Sequence, residues 1–157
     1  KLDGERAVAE ADPRATIVRT AWVYTGAAGG SDLVATMRRL ESERETVSVV
    51  TDQIGSPTYA ADLAAGLLEL AARLRADDRP GGVLHAAGGG QTRWFDLARA
   101  VFQEIGADPG RVLPCGSADF PRPAPRPAYS VLSGRSWSAA GLTPLRGWRE
   151  ALTAALA

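Results

Sequence analysis

Residues 46–75 read TVSVVTDQIGSPTYAADLAAGLLELAARLR, and a change of rhythm inside them decides the fold class. The opening Thr46–Val50 is short, apolar and β-branched, as a buried strand is. After the loop DQIGSP at 52–57, the stretch Tyr59–Arg75 carries Leu63, Leu67, Leu70 and Leu74 at helical spacing, which predicts a long amphipathic helix. A buried strand leading into such a helix is the repeating unit of an α/β protein with a largely parallel sheet.

The same alternation extends both ways. Upstream, a helix runs from Lys1 to about Glu10 and is ended by Asp12-Pro13; ATIVRTAWVY at Ala15–Tyr24 reads as one buried strand. Gly26–Gly30 is a turn, and Ser31 or Asp32 caps a helix carrying Leu33, Met37 and Leu40 to about Arg44. Downstream, Gly81-Gly82 introduces a strand over Val83–Ala87. Thr92 then caps a helix with Trp94, Leu97, Ala98, Val101 and Ile105 inward, and Gly106 closes it. Arg111–Pro114 is extended, the prolines of Phe120–Pro127 exclude helix, and a last helix over Leu145–Leu156 carries Trp148, Leu152 and Leu156 on one face.

Composition narrows the function. The 157 residues are 45% hydrophobic and 23% charged, enough for one sizeable core. Eighteen basic against eighteen acidic residues give no net charge, and the basic residues form no stripe, so no nucleic-acid partner is expected. No run approaches the roughly 18–20 apolar residues of a membrane span. Cys115 and His85 each occur singly, so no internal disulfide and no metal site is expected, and a cytoplasmic location fits. The chain opens on Lys1 and its one methionine is Met37, so we expect a preceding segment to have been removed.

In open α/β sheets ligands bind beyond the carboxyl ends of the strands. That rule selects Thr20–Tyr24, Asp52–Tyr59 and Gly88–Thr92. The glycines at 88–90 precede a helix but lack the second turn and the acidic ribose partner of a dinucleotide fingerprint. His85, inside an apolar run, reads as a core histidine. In the 52–59 loop, Asp52, Pro57 and Thr58 read as structural, the last two as helix initiation. Gln53 is the candidate ligand contact there, and Gly55 would permit close approach of a ligand.

Four segments carry a resemblance. KLDGE at the start is similar to the second half of Tyr-x-x-x-Lys-Leu-x-Gly-Glu, and RTAWVY at 19–24 to Arg-Thr-Ser-Trp-Val-Tyr. VVTDQIGSPTYAADLA at 49–64 matches the most distinctive segment, and PAPRPAYSVL at 123–132 is similar to Pro-x-x-Arg-Pro-x-x-Ser-x-Leu. All four stand in the order found in the dTDP-4-dehydrorhamnose reductases, extended short-chain dehydrogenase/reductases, which the chain therefore resembles over nearly its whole length. It departs from them at Ala21, at Asp32-Leu33, and in the loop Thr25–Gly30.

The resemblance implies an incomplete doubly wound, Rossmann-type parallel sheet: its last strands and helices, with the small substrate-binding domain. Residues 1–157 would form the carboxy-terminal half, with the amino-terminal cofactor-binding half, its glycine-rich loop and its active-site tyrosine, lying upstream. The reaction implied is reduction of dTDP-4-dehydro-β-L-rhamnose to dTDP-L-rhamnose by NADPH or NADH. Alternatives are reduction of another dTDP-4-keto-deoxysugar, or a non-catalytic sugar-nucleotide-binding or regulatory subunit.

Lys1 would be the catalytic lysine, touching the nicotinamide ribose and lowering the tyrosine's pKa; a solvated helix lysine is the alternative. Thr20 and Ala21 would border the cofactor. Trp22 would offer the sugar a flat wall, or else simply fill core. Arg126, fixed between prolines, would grip the diphosphate; a surface ion pair is the alternative, and Arg122 the competing arginine. Tyr129 reads as packing. The partner implied is a dTDP-sugar, with no membrane, and with self-association through the surface left by the missing half.

Overall fold

A computed structural model describes residues 1–27, 29–76, 78, 80–121 and 123–157. Along the chain run α1 (Leu2–Ala11), β1 (Thr16–Arg19), β2 (Val23–Tyr24), α2 (Leu33–Glu43), β3 (Val47–Val50), β4 (Ile54–Gly55), β5 (Thr58–Tyr59) and α3 (Ala60–Arg75). There follow β6 (Gly82–His85), β7 (Thr92–Arg93), α4 (Trp94–Glu104), β8 (Val112–Cys115), α5 (Arg135–Ala139) and α6 (Trp148–Leu156). Three strand pairs are parallel, β1 with β6, β2 with β5 and β3 with β8; β4 and β7 pair antiparallel. The result is the expected α/β arrangement with pieces of a parallel sheet.

The long strand expected over Ala15–Tyr24 is two. β1 ends at Arg19, and Trp22 has φ +47°, a left-handed backbone rare for a bulky residue. The apolar composition of the run is uniform, so nothing local marks the break. It lets β1 pair with β6 while β2 pairs with β5.

Other boundaries also moved. Asp32 caps α2 as expected, its carboxylate accepting from the Ala35 N–H at 2.9 Å. Thr92 does not cap α4: it lies in β7, and Arg93 holds the cap position with no side-chain bond. Pro57-Thr58 does not start α3 either. Thr58 is a strand residue, and Tyr59 is the cap. The last helix begins at Trp148, three residues later than expected, and α5 was not foreseen.

Two clusters make the core. The larger packs Tyr24, Val34, Met37, Val47, Val49, Leu97, Val101, Phe102, Val112 and Leu152 between α2, α4, α6 and the β3·β8 pair. The smaller holds Leu70, Leu84, Ala86, Trp137 and Leu142, with Leu63, Leu74 and Leu145 against it. α3 meets this second cluster through Leu63, Gly66, Leu70 and Leu74; Leu67, expected inward, is 39% exposed. Gly66 admits Trp137, whose ring lies about 3.0 Å from where a Cβ would stand, and that turns the buried face away from Leu67.

Candidate functional site

The parallel pair β3·β8 sends two turns out from its carboxyl ends, Thr51–Gln53 from one strand and Gly116–Asp119 from the other. Hydrogen bonds fasten them together. Thr51 N–H donates to the Cys115 carbonyl at 3.0 Å, and Asp52 accepts from the Ser117 N–H at 2.9 Å and from its hydroxyl at 2.7 Å. The Ser117 bonds, backbone first, hold the Asp52 carboxyl below the usual aspartate range. Asp119 completes the turn by accepting from the Gly116 N–H at 2.9 Å.

A third segment arrives from far along the chain. Ile54 N–H donates to the Ala128 carbonyl and Ser130 N–H to the Ile54 carbonyl, both at 2.8 Å. This pairing lays the proline-rich stretch beside the loop after β3. Arg126, two residues before Ala128, is thereby brought into the same cavity lining as Gln53.

Between these turns and α2 lies a cavity of about 800 Å³. Its walls include Met37, Val50, Gln53, Trp94, Ser117, Phe120 and Arg126. Arg126 is its one ionisable residue among those described, and it is exposed. Among the described residues no acidic group pairs with Arg126, so it makes no surface ion pair with any of them. A free guanidinium in an otherwise neutral, largely apolar cavity is suited to a phosphate or diphosphate. Arg122 lies outside the described residues.

Trp22 is not in that lining. Its indole stacks on Trp94 with ring centroids 3.4 Å apart and planes 8° from parallel. One of its faces is thus already covered, and Trp94 supplies the cavity wall. Gly55 permits the stack, since a Cβ there would collide with the Trp22 ring. The close approach expected at this glycine is made by the protein's own indole.

Lys1, Thr20 and Ala21 are not in that lining either. Arg19 donates to Glu5 through Nε at 2.9 Å, tying the first turn of α1 to the carboxyl end of β1. Lys1, one turn before Glu5, and Thr20, just after Arg19, are both exposed at this end, with Ala21 half-buried. The Arg19 guanidinium also holds the Glu5 carboxyl below its ordinary range, chiefly through the hydrogen bond.

Ser56 and Thr58 are fully buried, and the Thr58 hydroxyl accepts from the Gly88 N–H at 3.1 Å. Gly55–Thr58 of the distinctive 49–64 segment are thus buried scaffold, while Gln53 lines the cavity. The triple glycine is scaffold too. A Cβ on Gly88 would strike the Pro57 carbonyl, Gly89 bridges to Gly147, and Gly90 lies under Trp148. The Gly88 and Gly89 N–H groups are already taken, by the Thr58 hydroxyl and the Arg146 carbonyl, so they are not free to cradle a phosphate. Tyr129, expected as packing, is 61% exposed, and its hydroxyl donates to Gln91 Oε1 at 2.9 Å. His85 is half-buried in β6, and burial pushes the Cys115 thiol up, away from thiolate chemistry.

Across the whole chain, residues 1–157, the sequence matches the family described as RmlD substrate binding domain. The chain belongs to that family. Among RmlD-type proteins it is 61% identical, over all of its length, to a dTDP-4-dehydrorhamnose reductase of Mycobacterium tuberculosis, of which it covers 50%. A crystal structure of the dTDP-4-dehydrorhamnose reductase of Clostridium acetobutylicum superposes with a TM-score of 0.87 at 36% identity, over 99% of this chain and 52% of that one. The Bacillus anthracis reductase, crystallised in complex with NADP, superposes with a TM-score of 0.77 at 36% identity, over 87% of this chain and 46% of that one. The chain thus spans about half the length of the relatives it matches. The fold is the Rossmann type, of which these 157 residues hold part of the sheet.

Ser117 and Trp94 line the cavity without having stood out in the sequence. Ser117 follows an extended segment, Arg111–Pro114, so the strand-end rule applied there would have found it. Nothing in the sequence sets Trp94 apart from other inward helix residues.

Proposed function

We propose that this chain is the substrate-binding part of an NAD(P)H-dependent reductase that converts dTDP-4-dehydro-β-L-rhamnose to dTDP-L-rhamnose. The observation that carries this is that one cavity of an RmlD-type chain is lined both by Gln53 and by Arg126, which makes no salt bridge among the described residues. Arg126 binds the diphosphate and Gln53 another polar group of the nucleotide sugar. Trp22, braced by Trp94, borders the sugar beside this cavity.

Lys1, Thr20 and Ala21 face the cofactor from the end where α1 meets β1. NADPH, supported by the NADP complex of the Bacillus anthracis relative, supplies the hydride when bound. The described residues hold no phosphate cradle for it, so the cofactor is held by a further segment corresponding to the other half of the relatives. α1 supports this, for it buries no residue, and Leu2 and Val8 are 52% and 48% exposed. β1 pairs only with β6 among the described residues. The reading includes a cytoplasmic setting, and self-association of the isolated chain through this uncovered face.

Two preparations test the proposal: the chain alone, and the chain joined behind the amino-terminal half of the Mycobacterium tuberculosis relative. Both should bind dTDP in calorimetry, and only the second should oxidise NADPH in response to the keto sugar. Turnover by the chain alone, or failure of both to bind dTDP, would refute it. Comparing epimeric keto sugars on the joined protein identifies the substrate.

A further inference from the structure

Ser117 Oγ stands between two side chains, 2.7 Å from Asp52 Oδ1 and 2.8 Å from Gln53 Nε2. The proton positions follow from what each group can do. An ionised carboxylate only accepts, and Asp52 also accepts the Ser117 N–H. The single Ser117 hydroxyl proton therefore goes to Asp52. That leaves Ser117 Oγ with lone pairs alone, so the part of Gln53 facing it must donate. The amide is pinned with its NH₂ on Ser117 and its carbonyl oxygen turned away from it. No hydrogen bond among the described residues reaches Gln53 Oε1, and both Gln53 and Ser117 line the cavity.

We propose that Gln53 is a specificity-determining acceptor whose amide orientation is set by Ser117 and Asp52, so that the cavity selects a ligand bearing an N–H or O–H opposite Gln53 Oε1. Asp52 is the positioning residue. It is exposed and outside the lining, and acts only through Ser117. An unpinned glutamine can exchange its oxygen and nitrogen and serve donor or acceptor alike. A pinned one leaves its oxygen unpaired against a ligand that lacks the donor, which is how a polar site rejects an analogue. The inference rests on the nucleotide-sugar reading above. The donor is either the N3–H of the thymine or a hydroxyl of the hexose.

Calorimetry with dTDP, its N3-methylthymine analogue and dTDP-L-rhamnose separates these sources. If the base is read, N3-methylation weakens binding about ten-fold; if the hexose is read, methylation is neutral and dTDP-L-rhamnose binds about ten-fold tighter than dTDP. In Asp52→Asn the new amide donates to Ser117 Oγ, frees its proton to turn toward Gln53, and lets the glutamine reverse. Ser117→Ala releases the glutamine by another route. Discrimination should fall to near unity in both variants. A purely structural role would weaken all three ligands in proportion and preserve the ratio, which overturns the proposal, as does absence of discrimination in the unsubstituted chain. Binding with an unchanged ratio refutes this inference alone, whereas no binding of dTDP at all refutes the functional reading with it.

Discussion

Gly55→Ala should damage the site without touching a ligand. A Cβ at this position would stand 2.7 Å from Trp22 Nε1 and closer still to Cε2 and Cζ2, while ordinary contact begins at 3.4 Å. Clearing the nearest contact, 2.2 Å to Cε2, requires a shift of about 1.2 Å, and the indole has no slack on its stacked face, where Trp94 lies at 3.4 Å. Loss of the stack costs about 0.5–1.5 kcal/mol and the overpacking a further 1–3 kcal/mol or so, giving a destabilisation of about 1.5–4.5 kcal/mol. Urea denaturation measures the loss, and near-ultraviolet circular dichroism reports the coupled indoles. Because Trp94 also lines the cavity, dTDP affinity should fall with the same substitution. Native stability with an unaltered tryptophan spectrum would refute the reasoning, since it would mean that the ring has room the structure denies it.

Arg126→Ala should weaken dTDP binding by roughly ten-fold to over a hundred-fold, the loss of a charge-assisted contact of about 1.5–3 kcal/mol; unchanged affinity in calorimetry would remove the diphosphate role. The Tyr24 hydroxyl is buried with no partner among the described residues, and burial pushes its pKa far up. Tyr24→Phe should therefore leave stability unchanged or raise it by about 1 kcal/mol, and a clear loss in thermal melting would reveal a bond not seen here. Glu5 and Asp52 both have depressed pKa values, so the stability they contribute is present above the ordinary carboxylate range and lost as pH falls through their lowered values. Acid titration of the melting temperature should show a fall below about pH 4, smaller in Glu5→Gln and in Asp52→Asn; identical acid profiles would exclude these two groups. Light scattering should find the isolated chain associated, and a strictly monomeric chain would argue against an uncovered face at α1 and β1.

The alternation of β-branched runs with helical leucine spacing was enough to specify an α/β protein, because burial on a sheet and burial on a helix demand different periods. Asp32 was legible as a cap for a similar reason: a carboxylate just before an apolar periodic run meets free N–H groups one turn on. Gln53 and Arg126 could each be picked out as chemistry-bearing residues. Their meeting could not, since it depends on Ile54 bonding to Ala128 and Ser130, more than seventy residues away. The break at Trp22, the inward turn of Gly66 in place of Leu67, and the pinning of Gln53 by Ser117 have the same origin. Each goes with a neighbour distant in sequence, Trp94, Trp137 or the turn after β8, and local composition carries no record of which distant side chain will claim the space. Periodicity acts within one element and is written along the chain; contact between elements is decided only when the chain has folded.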